Sequence, residues 1–268
     1  MSIAPPPGLV PPGTRPLPAG RGALFLAAGA GPPVLCIPGG HHGAWCFAAL
    51  LAALGAAGLA AGAVELRGKG TLSAAADPAA GIEDYAEDVL AAARLCGAAP
   101  VLVGHSLGAL VALRAALRLP RLSGLVLFAP SPPGNLPGVA LLPELPEGRL
   151  VPPPDEAAAA ARFLGGERPP GLSAYAAALD PESPRALNER YRGRLPVEPA
   201  ALASVPVLVI EAGREDAARH PPGQDAALAR FLGGEHRLLP RSPHCLMLAP
   251  WLAALCDPLL PWLRARAA

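Results

Sequence analysis

The sequence reads as an α/β chain, and three observations carry that reading. Short apolar runs alternate with helix-spaced segments along most of the 268 residues. One run, Val101-Leu102-Val103, leads directly into Gly104-His105-Ser106-Leu107-Gly108 and then into a helix-forming stretch. The 36 prolines and 30 glycines fall mainly at the N-terminus and at joints between runs, as rigid connections would. Strands alternating with helices build a sheet covered by helices. A chain this long buries a core that holds without disulfide staples, and α/β folds of this size are often single units.

The elements follow in order. Residues 1–20 form a Pro/Gly-rich arm, expected to be draped or mobile. Residues 23–27 and 34–37 read as strands. A helix over 45–57 stops at Gly58 and gives way to a strand over 60–65. Ile82, Tyr85, Val89 and Leu90 share one helical face, with Glu83, Asp84, Glu87 and Asp88 on the others as a solvated surface. That helix ends near Gly97, and the next strand enters the 104–108 turn. A helix over 109–119 and a strand over 125–128 come next. From about 131 to 203, proline clusters alternate with short helical pieces such as 155–163. A strand over 205–211, a helix over 226–231, a strand at 237–239 and a helical tail over 246–264 complete the chain. The tail is expected to break at Pro250, Pro258 and Pro261.

Strand, G-x-S-x-G turn and helix together make a nucleophile elbow. The turn forces Ser106 into a strained conformation at the strand's C-terminal end, and the glycines let strand and helix pack closely. On these residues the chain is identified as resembling the serine hydrolases of the α/β-hydrolase superfamily, from about residue 22 to the C-terminus. The resemblance implies a mostly parallel, doubly wound sheet flanked by helices, with a helical, Pro-rich cap inserted after the sixth strand. The division that follows is an arm over 1–20, a core over 21–130 and 204–268, and a cap over 131–203.

The same resemblance assigns the site. Pro38-Gly39-Gly40-His41-His42-Gly43-Ala44-Trp45 is similar to the family's oxyanion loop, although Pro38 stands where histidine is usual. By position the oxyanion donors are the backbone N–H groups of Gly40 and Leu107. His41, His42 and Trp45 are read as lining the substrate pocket. A metal at the two histidines is not expected, because adjacent side chains diverge. The segment Glu65-Leu66-Arg67-Gly68-Lys69-Gly70 resembles a structural turn of the family, with Glu65 in place of aspartate. After the strand over 205–211, Asp216 is the chosen acid, with Glu215 and Glu211 as local alternatives. His244, just past the last strand, is the base; His236 and His220 fit worse. The order Ser106, Asp216, His244 is that of the superfamily. His105 is expected to pack away from the site.

The expected activity is hydrolysis of a carboxylic ester of small to medium apolar substrates through an acyl-enzyme, with no cofactor. Thioester, lactone and amide hydrolysis, acyl transfer and C–C cleavage use the same residues, and a hydrolase-fold ligand receptor with little turnover is a further alternative. A formal net charge of +1 argues against a nucleic-acid partner. Arg185, Arg190, Arg192 and Arg194 concentrate positive charge; a carboxylate-binding rim is one reading, and ordinary solvated charge is preferred. Five cysteines without metal-type spacing read as free thiols, which suits a reducing cytoplasm. No signal peptide is indicated, and the uncharged stretch 43–64 is too poor in Leu and Ile to be read as a membrane span. Oligomeric state is not legible.

Overall fold

The computed structural model describes residues 1–267. Among them, eight strands form one sheet: β1 (Arg15–Ala19), β2 (Gly22–Ala27), β3 (Ala30–Ile37), β4 (Leu59–Glu65), β5 (Val101–His105), β6 (Gly124–Phe128), β7 (Val207–Arg214) and β8 (Glu235–Pro243). Their spatial order is β1-β2-β4-β3-β5-β6-β7-β8. β1 and β2 run antiparallel, and from β4 to β8 all neighbours are parallel. The central strands β5 and β6 are buried along their whole length, which is why they read as unbroken apolar runs.

Helices cover both faces. The helices α1 (Ala48–Ala56) and α8 (Leu252–Ala267) pack on one side of the sheet, where Leu50, Leu54, Leu255 and Leu259 join the core. The helices α2 (Ile82–Arg94), α3 (Leu107–Ala116) and α7 (Gln224–Phe231) pack on the other, through Ile82, Val89, Leu110 and Leu228. Between β6 and β7 the chain leaves the sheet and forms α4 (Glu156–Phe163), α5 (Leu172–Ala177) and α6 (Pro184–Tyr191). Asp155 and Ser183 cap α4 and α6 by accepting the amides of Ala158 and Ala186.

Two expectations need correction. The 1–20 arm is not wholly irregular, because Arg15–Ala19 forms an edge strand. Pro16 and Pro18 have the same parity in the register with β2, so their missing N–H groups fall on the unpaired side of the edge. The tail is not broken at Pro258 or Pro261, since α8 runs through both. Burial of Leu255, Leu259, Trp262 and Leu263 holds the turns where two helical hydrogen bonds are missing. The stretch 43–64 is a short 3-10 turn (Ala44–Phe47), nine-residue α1 and β4. Among the described residues no helix is long and apolar enough to cross a membrane.

Candidate active site

The chain reverses direction across the sheet between β3 and β5: β4 follows β3 on one side, and β5 returns to the other. Such a switch opens a crevice at the C-terminal ends of the strands. Gly40 follows β3, Ser106 follows β5, Glu215 follows β7 and His244 follows β8, and all four line one cleft.

Ser106 sits at φ 52°, ψ −121°, a conformation L-residues rarely adopt. Its neighbours hold it there. The Ser106 amide donates to Phe128 O, and its carbonyl accepts from Ala109 and Ser131. A Cβ on Gly104 would lie 2.5 Å from Gly108 O, and one on Gly108 would lie 2.4 Å from the carbonyl oxygens of Ile37 and Pro38. The strand, the helix and the β3 loop therefore meet backbone to backbone, and only glycine fits between them.

His244 is buried, and its Nδ1 lies 2.8 and 3.0 Å from the two carboxylate oxygens of Glu215. The ionised carboxylate can only accept, so Nδ1 carries the proton in the neutral ring and Nε2 keeps its lone pair. Burial, followed by the Arg162 and Arg219 guanidiniums, pushes the His244 pKa below that of an ordinary histidine. Burial pushes the Glu215 carboxyl up. The resting ring is thus neutral, with its basic nitrogen available to the cleft.

The acid expected from sequence, Asp216, does not reach His244; Glu215 takes that place. The reason is local. Consecutive loop residues turn opposite ways, leaving the side chain of Glu215 9 % exposed and that of Asp216 45 %. Asp216 instead accepts the Ala218 amide in an Asx-type turn and pairs with Arg219 at 3.6 Å.

The β3 loop differs from expectation in its side chains. Gly40 lines the cleft, whereas His42 and Trp45 are buried beneath it and His41 lines an adjoining cavity. His42 Nδ1 lies 2.9 Å from Gly40 O, and a carbonyl can only accept, so Nδ1 donates. His42 Nε2 then accepts from the Tyr175 hydroxyl at 2.7 Å. His41, at φ 67°, is tied on both sides: its amide donates to Glu182 and its ring Nδ1 donates to Asp180 O. Glu182 also pairs with Lys69 at 2.8 Å and accepts from Tyr85. These contacts brace the loop where Pro38 provides no side-chain donor. Glu65 accepts from Ala44 and Thr71, a structural tie as its segment suggests.

His105 does more than pack. Its Nε2 donates to His244 O at 3.0 Å and so joins the serine turn to the loop after β8. His220 also lines the cleft, with its ring 5.0 Å from that of His244. Glu215, His220 and His244 present ligand atoms within 4.8 Å of one another and could together hold a divalent cation.

The residues between β6 and β7 form the outer wall. Leu142, Arg162, Leu187, Arg190 and Tyr191 line the cleft. Leu142, Pro143, Leu145, Val151, Pro152 and Pro154 line a second, mainly apolar cavity of about 340 Å³. The two share Leu142, Arg162, Leu187, Tyr191 and Arg219, so they adjoin. Of the four arginines noted in the sequence, Arg190 is buried against the cleft and is not solvated charge. Arg185 and Arg194 lie exposed and pair with Glu189 and Glu144. Arg162 and Arg219 had no signal in the sequence, because each is an isolated arginine brought to the cleft only by folding.

Comparison with known proteins agrees with this architecture. A family model described as "Alpha/beta hydrolase family" matches residues 34–255. An esterase of Oryza sativa subsp. japonica, PIR7B, is 42 % identical over 82 residues, which is 30 % of this chain and 31 % of the relative. The chain thus aligns with about a third of the length of the curated relatives it matches. Among solved structures, an N-acyl homoserine lactonase, AidH, complexed with N-butanoyl homoserine superposes with a TM-score of 0.71 at 20 % identity, over 94 % of this chain and 97 % of that one. The methylesterase MES16 from Arabidopsis gives 0.66 at 21 % identity, over 87 % and 99 %. These structural likenesses speak to the fold.

Proposed function

The chain belongs to the alpha/beta hydrolase family, and from that premise we propose that it is a serine hydrolase of carboxylic esters whose working groups are Ser106, His244 and Glu215. The observation that carries this reading is the convergence of a strained serine, a histidine with a free Nε2 and a largely shielded carboxylate on that histidine's Nδ1, all at one cleft.

In this reading His244 Nε2 removes the Ser106 proton as Oγ attacks the ester carbonyl. Glu215 fixes the ring tautomer and stabilises the imidazolium as it forms. The negative oxygen of the tetrahedral intermediate lies against the backbone N–H groups of Gly40 and Leu107. Leu107 opens α3, so its amide has no partner within the helix. Each such preorganised donor is worth roughly 3–4 kcal/mol in the transition state. His244 then protonates the departing alcohol, and water attacks the acyl-enzyme by the same route. The segment over 131–203 acts as the cap, and its Leu- and Pro-lined cavity receives the apolar part of the substrate. The cysteines at 36, 46, 96, 245 and 256 are all free thiols, which supports placement in a reducing cytoplasm.

The test is hydrolysis of 4-nitrophenyl butyrate by the wild type and by Ser106→Ala. The expected result is turnover by the former and its loss in the latter. Equal rates would refute this assignment.

A further inference from the structure

We infer that the cleft is built to hold an anionic substrate, an ester that carries a free carboxylate a few carbons from the scissile carbonyl. The inference rests on the esterase reading for the reacting bond, but its own basis is a separate set of residues: Arg162, Arg190 and Arg219, which arrive from α4, α6 and the loop after β7 and all line the cleft.

The charges around the cleft do not balance. Its two carboxylates are Glu215 and Asp216. Glu215 is engaged by His244, and Asp216 makes only a 3.6 Å contact with Arg219. Arg190 is 4 % exposed and spends its guanidinium on two backbone carbonyls, Ala140 O and Arg219 O, each at 3.3 Å. Arg219 donates to the Tyr191 hydroxyl at 3.0 Å. Among the described residues Arg162 makes no ion pair and no hydrogen bond to protein; its guanidinium stands 4.9 Å from the centroid of its own neighbour Phe163. Several arginines elsewhere have carboxylate partners: Arg67 has Asp84 and Asp88, Arg114 has Glu83, and Arg214 has Glu167. Arg190 is buried and Arg162 partly buried, and among the described residues neither pairs with a carboxylate; such cations are costly, and an incoming carboxylate would complete them.

Position defines the substrate further. Arg162 and Arg219 line both the cleft and the adjoining apolar cavity, so they stand where the two meet. A ligand with its ester at Ser106 and a short hydrocarbon segment beside Leu142, Leu187 and Tyr191 brings a terminal carboxylate to these guanidiniums. A planar guanidinium matches a carboxylate's two oxygens, which makes arginine the suited cation here.

The experiment separates binding from turnover. Ser106→Ala protein is titrated calorimetrically with monomethyl glutarate, an anion, and with dimethyl glutarate, its neutral counterpart. The expected result is binding of the anion at least about tenfold tighter. In the Arg162→Gln background that preference falls several-fold, and Arg162→Lys restores part of it. Equal or tighter binding of the neutral diester, no binding of either compound, or a preference unchanged by Arg162→Gln and Arg219→Gln alike would overturn the inference. In parallel, kcat/KM is measured on the wild type with mono-4-nitrophenyl glutarate and 4-nitrophenyl butyrate. Anion-selective binding with neither ester hydrolysed leaves the carboxylate site standing and removes the esterase reading. Hydrolysis of both with no preference for the anion does the reverse.

Discussion

Replacing Glu215 by glutamine distinguishes it sharply from its neighbour. The carboxylate holds His244 Nδ1 through both oxygens, at 2.8 and 3.0 Å, and its side chain is only 9 % exposed. In the proposed mechanism, attack by Ser106 makes the ring an imidazolium facing that charge at a separation of about 4 Å between charge centres. At an effective dielectric constant near 20 the attraction is about 4 kcal/mol. Losing it corresponds to about a 10³-fold fall in kcat. A glutamine amide turned toward Nδ1 would also favour the wrong tautomer and add to the loss. Asp216→Asn removes a 45 %-exposed carboxylate from a loose pair with Arg219. Such pairs contribute about 0–1 kcal/mol, so the expected change is at most about fivefold. The assay is steady-state hydrolysis of 4-nitrophenyl butyrate, with circular dichroism to confirm that both variants fold. A 10³-fold loss in Asp216→Asn beside a mild effect in Glu215→Gln would refute the assignment of the acid.

Two further outcomes follow from the same geometry. As the proposed base, His244 must be neutral to accept the serine proton, and burial with Arg162 and Arg219 lowers its pKa. The acid limb of the kcat/KM–pH profile should therefore lie below the ordinary histidine value of about 6.5. Removing a positive neighbour raises the pKa, so Arg162→Gln should move that limb to higher pH; a shift to lower pH would contradict the electrostatics. Gly108→Ala places a Cβ 2.4 Å from two backbone carbonyl oxygens. It should destabilise the protein by about 3 kcal/mol and lower Tm by roughly 6–12 °C in scanning calorimetry.

Much of this was legible in the sequence because it is written in local chemistry. The apolar run at 101–103 and the glycines at 104 and 108 announce the strand and the tight turn, and the structure supplies the reason in backbone contacts. What was not legible depends on direction or on distance along the chain. Glu215 and Asp216 are adjacent acids, and only the path of the loop decides which one turns inward. The strand at Arg15–Ala19 was hidden by two prolines that an edge tolerates and a central strand would not. The prolines of α8 read as breaks because their cost is local, whereas the burial that outweighs it comes from the sheet. The brace on Gly40 by His42 and Tyr175, and the meeting of Arg162, Arg190 and Arg219, join positions far apart in the chain and leave no periodic signal.

The most direct measurement is labelling with a fluorophosphonate probe, followed by mass mapping of the modified peptide, in wild type and His244→Ala. This account predicts rapid modification confined to Ser106 and a large slowing in the variant. Well-folded protein that takes no label, or that is labelled at Ser106 equally fast without His244, would contradict it.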